Sequence, residues 1–315
     1  MKSLAFPAIS GEDFNTFYGR GMTMPLPLTL NAGRLRQQDI ERYWEDGFLF
    51  PIPAISPDAA LEFRRQLEMI ETEWTHKSLP QPLNTYKRVN AQCVMPLAYQ
   101  IGADPGILNV VEGILGPDIL IYAVEFFIKE PNTRHKVTMH QDLTYWGLGA
   151  TSEMVTAWLA LSPATPQSGC MDFVRKSHKN PILPHKDSFA KDNLLSRGQE
   201  VQVDVAEQDK TSIEIQPGEI SLHHGLTIHG SGPNVSDDRR IAAVIRYVTP
   251  NVAQEIGARD YAILARGADR QGNFIHVAPP KGLFNAADLQ LHEEIRIAQA
   301  AAKMKDAKAK KGLHA

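Results

Sequence analysis

The chain has 315 residues, 33 of them Lys or Arg and 36 Asp or Glu, for a net charge of -3. That length can bury a full core, as one elaborated domain or two small ones. The charge balance leaves no overall basic field of the kind that gathers nucleic acid or an anionic membrane, so a small-molecule partner fits better than a polyanion.

Residues 1–34, rich in Gly, Pro and Thr, read as an extended arm. A helical preface over 35–117 follows. Leu35 to Asp46 reads as a short helix stopped by Gly47, and Phe48-Leu49-Phe50 is an apolar run before Pro51. Ser56 is a good N-cap with Pro57 at the first helical position, and Ala60, Phe63, Leu67, Ile70 and Trp74 then recur at spacings of three and four, a packing stripe. Asp104 to Leu115 forms another helix, closed by Gly116-Pro117.

Over 118–252 the pattern turns to alternation. Ile119–Lys129, Met154–Leu161, Cys170–Arg175, Glu200–Val205, Ser212–Ile215, Glu219–Ile228 and Arg240–Val248 all read as strands. Short strands after a helical preface predict a mainly β fold with flanking helices, an antiparallel sandwich or jelly roll rather than a parallel α/β sheet. The polar stretch Ser177 to Thr211 is a long excursion and a candidate lid. A C-terminal extension, 253–315, carries a helix-compatible segment from Ala286 to about Lys308 and ends in Lys303, Lys305, Lys308, Lys310 and Lys311, read as a solvated end.

Cys93 and Cys170 form neither a disulfide framework nor a CxxC motif and are expected to be buried thiols in a reducing compartment. The residues Met1 to Pro7 hold no long apolar core, and no apolar run reaches membrane length, so the cytoplasm is the expected location. Absence of a secretory signal also discounts Asn234-Val235-Ser236 as a glycosylation site.

Chemistry concentrates around Met139-His140-Gln141-Asp142-Leu143-Thr144-Tyr145-Trp146. On an extended backbone His140 and Asp142 point to one side, where an imidazole and a carboxylate can grip one metal ion. Ile228-His229-Gly230-Ser231-Gly232-Pro233-Asn234 arrives much later and can supply a third ligand. Two histidines and one carboxylate on one face of a metal, with the other positions open, is the arrangement of non-haem Fe(II) oxygenases. His223 and His224 compete for the third place. His223 shares strand parity with His229, which opens to it a role of supporting the metal ligands, while a core histidine bonded to backbone is the plainer reading of it.

The phrases His140-Gln141-Asp142-Leu143, Gly218-Glu219-Ile220-Ser221-Leu222-His223-His224-Gly225 and Ile228-His229-Gly230-Ser231-Gly232-Pro233-Asn234, with Arg239-Arg240 after them, resemble the phytanoyl-CoA dioxygenase family of Fe(II)/2-oxoglutarate oxygenases. So does the helical opening that ends in Asp46-Gly47-Phe48, and the resemblance runs from about residue 35 to 250. It implies a double-stranded β-helix, a jelly-roll core with iron near one mouth. The implied metal ligands are His140, Asp142 and His229; the implied cofactors are Fe(II), 2-oxoglutarate as cosubstrate, and O2. Arg240 matches the family's 2-oxoglutarate arginine, a task that suits a planar guanidinium fork, and Ser231 can add a hydroxyl bond. Lys129 and Trp158 match positions that line the cosubstrate pocket. Arg239 would point the other way as a surface charge, and Arg246 shares strand parity with Arg240, with a structural ion pair as its plainer role. Tyr145 and Trp146, just after the ligand pair, are substrate-wall candidates, as are Asn90 and Arg88 from the preface.

In the family, members that halogenate carry a small residue in place of the carboxylate, so an intact Asp142 argues for hydroxylation of a C–H bond. Two alternatives use the same pocket: a zinc-dependent hydrolase, and a non-catalytic jelly-roll binding protein. Relatives act on acyl-CoA thioesters, zwitterions and natural-product intermediates, and the charge balance mildly favours a free small molecule over a CoA ester, unless lysines such as Lys179 and Lys186 supply a local patch.

Overall fold

The computed structural model describes residues 26–303 apart from Tyr145, Phe189, Lys191, Ser196 and Arg197. Most of the N-terminal arm, Tyr145 and the lysines beyond Lys303 therefore lie outside the described residues. Helix α1 (Gln37–Asp46) ends at Gly47, whose φ of 88° suits glycine and whose N–H reaches Tyr43 O at 2.8 Å. A Cβ at Gly47 would fall 2.3 Å from His178 Nδ1, so the chain can turn tightly here into β1 (Phe48–Pro53) only without a side chain. Helix α2 (Pro57–Trp74) starts on Ser56, whose Oγ accepts from Ala59 N at 3.2 Å, and buries Ala60, Phe63 and Leu67. Two short helices, α3 (Leu83–Arg88) and α4 (Pro96–Gly102), precede α5 (Pro105–Leu115), which Asp104 caps. The sequence reading did not separate α3 and α4. Each is about two turns or less, too short for a helical stripe to repeat, and is held by burying Thr85 and Tyr86 or Leu97 and Ile101.

The strands that follow are β2 (Ile119–Lys129), β3 (Val137–His140), β4 (Met154–Ala160), β5 (Met171–Val174), β6 (His185–Asp187), β7 (Gln199–Val201), β8 (Lys210–Ile213), β9 (Glu219–His224), β10 (His229–Ser231), β11 (Arg240–Val248), β12 (Asp260–Arg266) and β13 (Phe274–His276); helix α6 (Ala286–Lys303) comes last. They build a seven-stranded sheet in the order β1-β9-β4-β11-β2-β12-β13 and a four-stranded sheet in the order β3-β10-β5-β8. Two sheets with flanking helices make a jelly-roll core, the expected double-stranded β-helix. The excursion is less open than expected, because β6 and β7 pair with each other across it.

Strand β11 lies at the centre of the larger sheet and is buried on both faces. Ile241, Ala243, Ile245 and Tyr247 pack into the layer under the helices, while Ala242 and Val244 join Trp158, Phe173 and Ile213 between the sheets. Arg240 and Arg246 share the second face, at opposite ends of the strand. The long strand expected over Glu219–Ile228 is in fact broken after His224. Thr227 N bonds back to His224 O at 2.9 Å, its Oγ1 donates to Gly47 O at 2.7 Å, and the chain crosses from the larger sheet to the smaller one.

Candidate active site

Strands β3 and β10 are antiparallel neighbours with His140 and His229 as direct cross-strand partners, which brings the ring centroids to 4.2 Å. A Cβ on Gly230 would meet Val137 O at 2.7 Å, so a glycine beside His229 lets the two strands approach. Asp142 arrives by a turn: β3 ends at His140, and a 3-10 turn over Asp142–Thr144 directs the carboxylate back to the same side. Asp142 Oδ1 lies 3.6 Å from His140 Nε2 and 4.0 Å from His229 Nε2, and all three side chains are buried.

The tautomers suit metal binding. Each Nδ1 faces a backbone carbonyl at 2.9 Å, Thr138 O for His140 and Thr227 O for His229; a carbonyl only accepts, so each Nδ1 donates and each Nε2 is turned toward Asp142. Burial and the neighbouring His140 and His223 hold the His229 imidazole well below its ordinary pKa, in the neutral form a metal needs. Burial pushes the Asp142 carboxyl up, but the imidazoles of His140 and His223 and the field of Arg246 outweigh it and hold Asp142 well below the usual carboxylate range. Two imidazole nitrogens and one carboxylate, at spacings a single first-row ion can bridge, fit Fe(II).

His223 departs from its expected backbone-bonded role. Its Nε2 lies 3.3 Å from Asp142 Oδ2, and its buried Nδ1 has no hydrogen-bond partner. Thr156 Oγ1 donates to that oxygen at 2.9 Å. His224 turns away from the cavity and packs against Trp44 and His178.

A second cluster lies along the same cavity. Arg240, 1 % exposed, pairs in register with Lys129, fully buried, across β11 and β2. Arg240 NH1 donates to Gly169 O at 2.8 Å and its Nε has no partner; Lys129 Nζ donates to Ser231 Oγ at 2.6 Å and to Gly232 O. No carboxylate forms an ion pair with either cation among the described residues. Burial, and then the charge of Arg240, bring Lys129 down to about 6; burial brings Arg240 down to about 10. The buried Arg240 guanidinium with unspent donors, beside the Ser231 hydroxyl and the Lys129 amine, forms an anion site. Trp158 walls it, its ring 5.2 Å from the Arg240 guanidinium carbon.

Arg88, Asn90 and Trp146 all line this cavity. Arg246 faces it and also pairs with Glu125, so the two roles considered for it coexist. Arg239 points away, as expected, yet it is more than a surface charge: it joins Glu71 at 2.8 Å and Glu130 at 2.9 Å. Sequence reasoning missed Thr156, Glu125, Tyr122 and Gln299. Strand parity could have found two of these, Thr156 from Trp158 and Glu125 from Lys129. Gln299 comes from α6 and left no such signal.

The family model for phytanoyl-CoA dioxygenase (PhyH) matches residues 43–242, more than half of the chain and all three candidate metal ligands. The chain belongs to the phytanoyl-CoA dioxygenase family. A probable phytanoyl-CoA dioxygenase of Caenorhabditis elegans is 26% identical over 167 residues, 51% of this chain and 54% of that protein. The peroxisomal phytanoyl-CoA dioxygenase of Rattus norvegicus is 24% identical over 240 residues, 70% of each chain. The match to the first of these, and to the Bos taurus enzyme, spans about half of the relative's length. Among solved structures the non-heme monooxygenase ThoJ, in its apo form, superposes with a TM-score of 0.76 at 28% identity over 84% of this chain and 97% of that one. CytC3 with Fe(II) and alpha-ketoglutarate, 18% identical with a TM-score of 0.58 over 80% of this chain and 97% of its own, shares the fold. The matched span holds the candidate His140, Asp142 and His229 metal site.

Proposed function

We propose that the protein is an Fe(II)/2-oxoglutarate-dependent dioxygenase that hydroxylates an unactivated C–H bond of a small molecule. One observation carries the reading: the His140, Asp142 and His229 donors open onto the same cavity as the buried guanidinium of Arg240, which has no carboxylate partner among the described residues, with Ser231 on the cavity wall and Lys129 bonded behind it. Fe(II), 2-oxoglutarate and O2 together supply the oxidising power, decarboxylating the cosubstrate to succinate as one oxygen atom passes to substrate. His140, Asp142 and His229 would hold the metal, and Arg240, Lys129 and Ser231 would seat the distal carboxylate of 2-oxoglutarate. Trp158 shields that seat from water. Trp146, Arg88 and Asn90 would orient the substrate, and exclusion of water by the buried wall protects the oxidising step. An intact Asp142 supports hydroxylation, since it fills a coordination position. A zinc hydrolase would leave the Arg240 and Lys129 anion site without a task. No described helix is long and apolar enough to cross a membrane, and both cysteines are free and buried; the cytoplasm is the location we propose.

The deciding experiment is the visible spectrum of anaerobic protein with Fe(II), before and after 2-oxoglutarate. The expected result is a weak charge-transfer band that needs both and disappears in Arg240→Ala with iron still bound. No band, with zinc bound tightly and iron not, would move the assignment to the hydrolase.

A further inference from the structure

The cavity holds a second charged group that neither the metal nor the cosubstrate uses. Glu125 lies between two arginines: Arg246 NH1 bonds to Oε1, and Arg88 Nε stands 3.5 Å from Oε2. Both guanidiniums rest on aromatic faces of the cavity, Arg88 with its carbon 3.8 Å from the Phe127 ring centre and Arg246 4.5 Å from that of Trp146. Among the described residues Arg246 makes one hydrogen bond, the one to Glu125, and Arg88 makes one, from NH2 to Leu194 O at 3.2 Å. The Nε of each is buried and without a hydrogen-bond partner. A guanidinium has five N–H donors, and both residues line the cavity, so much of this capacity is unspent at its wall.

The charges do not balance. Two guanidiniums share one carboxylate, which leaves one positive charge in a site where side-chain exposure is 9 % for Arg88, 8 % for Arg246 and 14 % for Glu125. Asp142 offsets part of it while the metal position is empty, since its charge acts on Arg246. A bound divalent ion would take that carboxylate as ligand, and the cosubstrate's distal carboxylate would be met by Arg240 and Lys129, so neither is left for Arg88 and Arg246. The surplus at Arg88 and Arg246 is therefore largest in the loaded enzyme, and a buried unmatched charge of this kind draws in a counter-charge.

We propose that Arg88 and Arg246 form the receptor for an anionic group of the substrate, a carboxylate or a like oxyanion, bearing one negative charge. This deepens the oxygenase reading and rests on it. Arg246 pairs in register with Thr156, one strand spacing or roughly 5 Å away, and the Thr156 hydroxyl bonds to Asp142, so the receptor and the metal ligand share one wall of the cavity. A substrate anchored there presents carbons within a few bonds of its anionic group. Glu125 acts against the anion and sets its affinity; it keeps the two arginines paired when no substrate is present.

The test uses Co(II)-loaded protein saturated with 2-oxoglutarate under anaerobic conditions, with acetate as the probe and paramagnetic broadening of the acetate methyl proton as the readout. Acetate is expected to approach Co(II) in the wild type. Its affinity should fall at least tenfold in Arg88→Gln and in Arg246→Gln, survive in Arg246→Lys, and rise severalfold in Glu125→Gln, while the 2-oxoglutarate-dependent Co(II) spectrum is unchanged in all four. Broadening equal in the wild type and the Gln variants, or absent from a wild type that shows the Co(II)·2-oxoglutarate spectrum, would overturn the receptor alone. A wild type whose Co(II) spectrum does not respond to 2-oxoglutarate would overturn the oxygenase reading, and the receptor with it.

Discussion

Thr156 and His223 meet the same oxygen of Asp142, at 2.9 and 3.3 Å from Oδ2, which leaves Oδ1 toward the two ligand histidines. The carboxylate is aimed before any metal arrives. Removing a group that orients a metal ligand typically costs about 10–100-fold in metal affinity. Thr156→Val, nearly isosteric, should raise the Co(II) dissociation constant by about that factor in equilibrium dialysis, and Thr156→Ser should restore it. Equal binding by Val and Ser variants would mean that Asp142 is aimed by other contacts. Asp142→Ala should bind iron poorly and lose all hydroxylation, and undiminished turnover would sink the metal assignment. Lys129 gives a prediction of a different kind. Burial and Arg240 hold it near 6, so the empty site at pH 8 contains mostly the neutral amine. A bound carboxylate favours the ammonium and raises that value, so the sign is proton uptake on binding anywhere between about 6 and the ordinary 10.5. Calorimetric titration of 2-oxoglutarate at pH 8 in two buffers of different ionisation enthalpy should show uptake approaching one proton, absent in Lys129→Met.

At the scale of elements, Gln141 joins three segments. Its Nε2 donates to Leu226 O at 2.9 Å and Pro181 O at 3.1 Å, and its Oε1 accepts from Leu183 N at 2.8 Å. The residue between the two sequence-adjacent ligands thus ties the excursion and the turn before β10 to the metal loop. Gln141→Leu strands several buried polar groups, at about 1–3 kcal/mol each where water cannot replace the bond. A loss of about 2–4 kcal/mol in denaturant unfolding is expected, with faster proteolysis between β6 and β7. Unchanged proteolysis would mean that the excursion is held elsewhere. The sequence pointed to the ligand pair because one intervening residue fixes where two side chains can point, and it pointed to Arg240, Lys129 and Trp158 through the family resemblance. The partner of His223 was not legible: parity gives the face of a strand but not the partner met there. The break after His224 was hidden for a related reason, since apolar alternation continues through Leu226 and Ile228 while the chain changes sheets.

Across the whole molecule, the preface and the last helix meet at the cavity although they lie at opposite ends of the described chain. Asn90 Nδ2 donates to Gln299 Oε1 at 2.7 Å, Gln299 Nε2 donates to Asp260 Oδ1 at 2.9 Å, and Tyr122 OH donates to Asp260 Oδ2 at 2.7 Å. His292 Nε2 meets Val89 O at 2.6 Å, and Ile295 is buried in the layer under the helices. Helical periodicity in α6 reports that one face is apolar but not which surface it covers, so the sequence could not place Gln299 on the cavity wall. Its amide closes the end of the cavity away from Arg240, next to the Asn90 that follows α3. Replacing it with Ala leaves Asn90 Nδ2 without its bond and removes one of the two that Asp260 Oδ1 accepts, the other coming from Tyr261 N, for about 1–3 kcal/mol and a melting temperature lower by a few degrees in a protein of this size. Neither His140, Asp142 and His229 nor Arg240 and Lys129 touches Gln299, so the Fe(II) and 2-oxoglutarate charge-transfer band of Gln299→Ala should match that of the wild type. Loss of the band together with the expected small drop in melting temperature would show that the last helix supports the metal centre itself rather than the substrate end of the cavity.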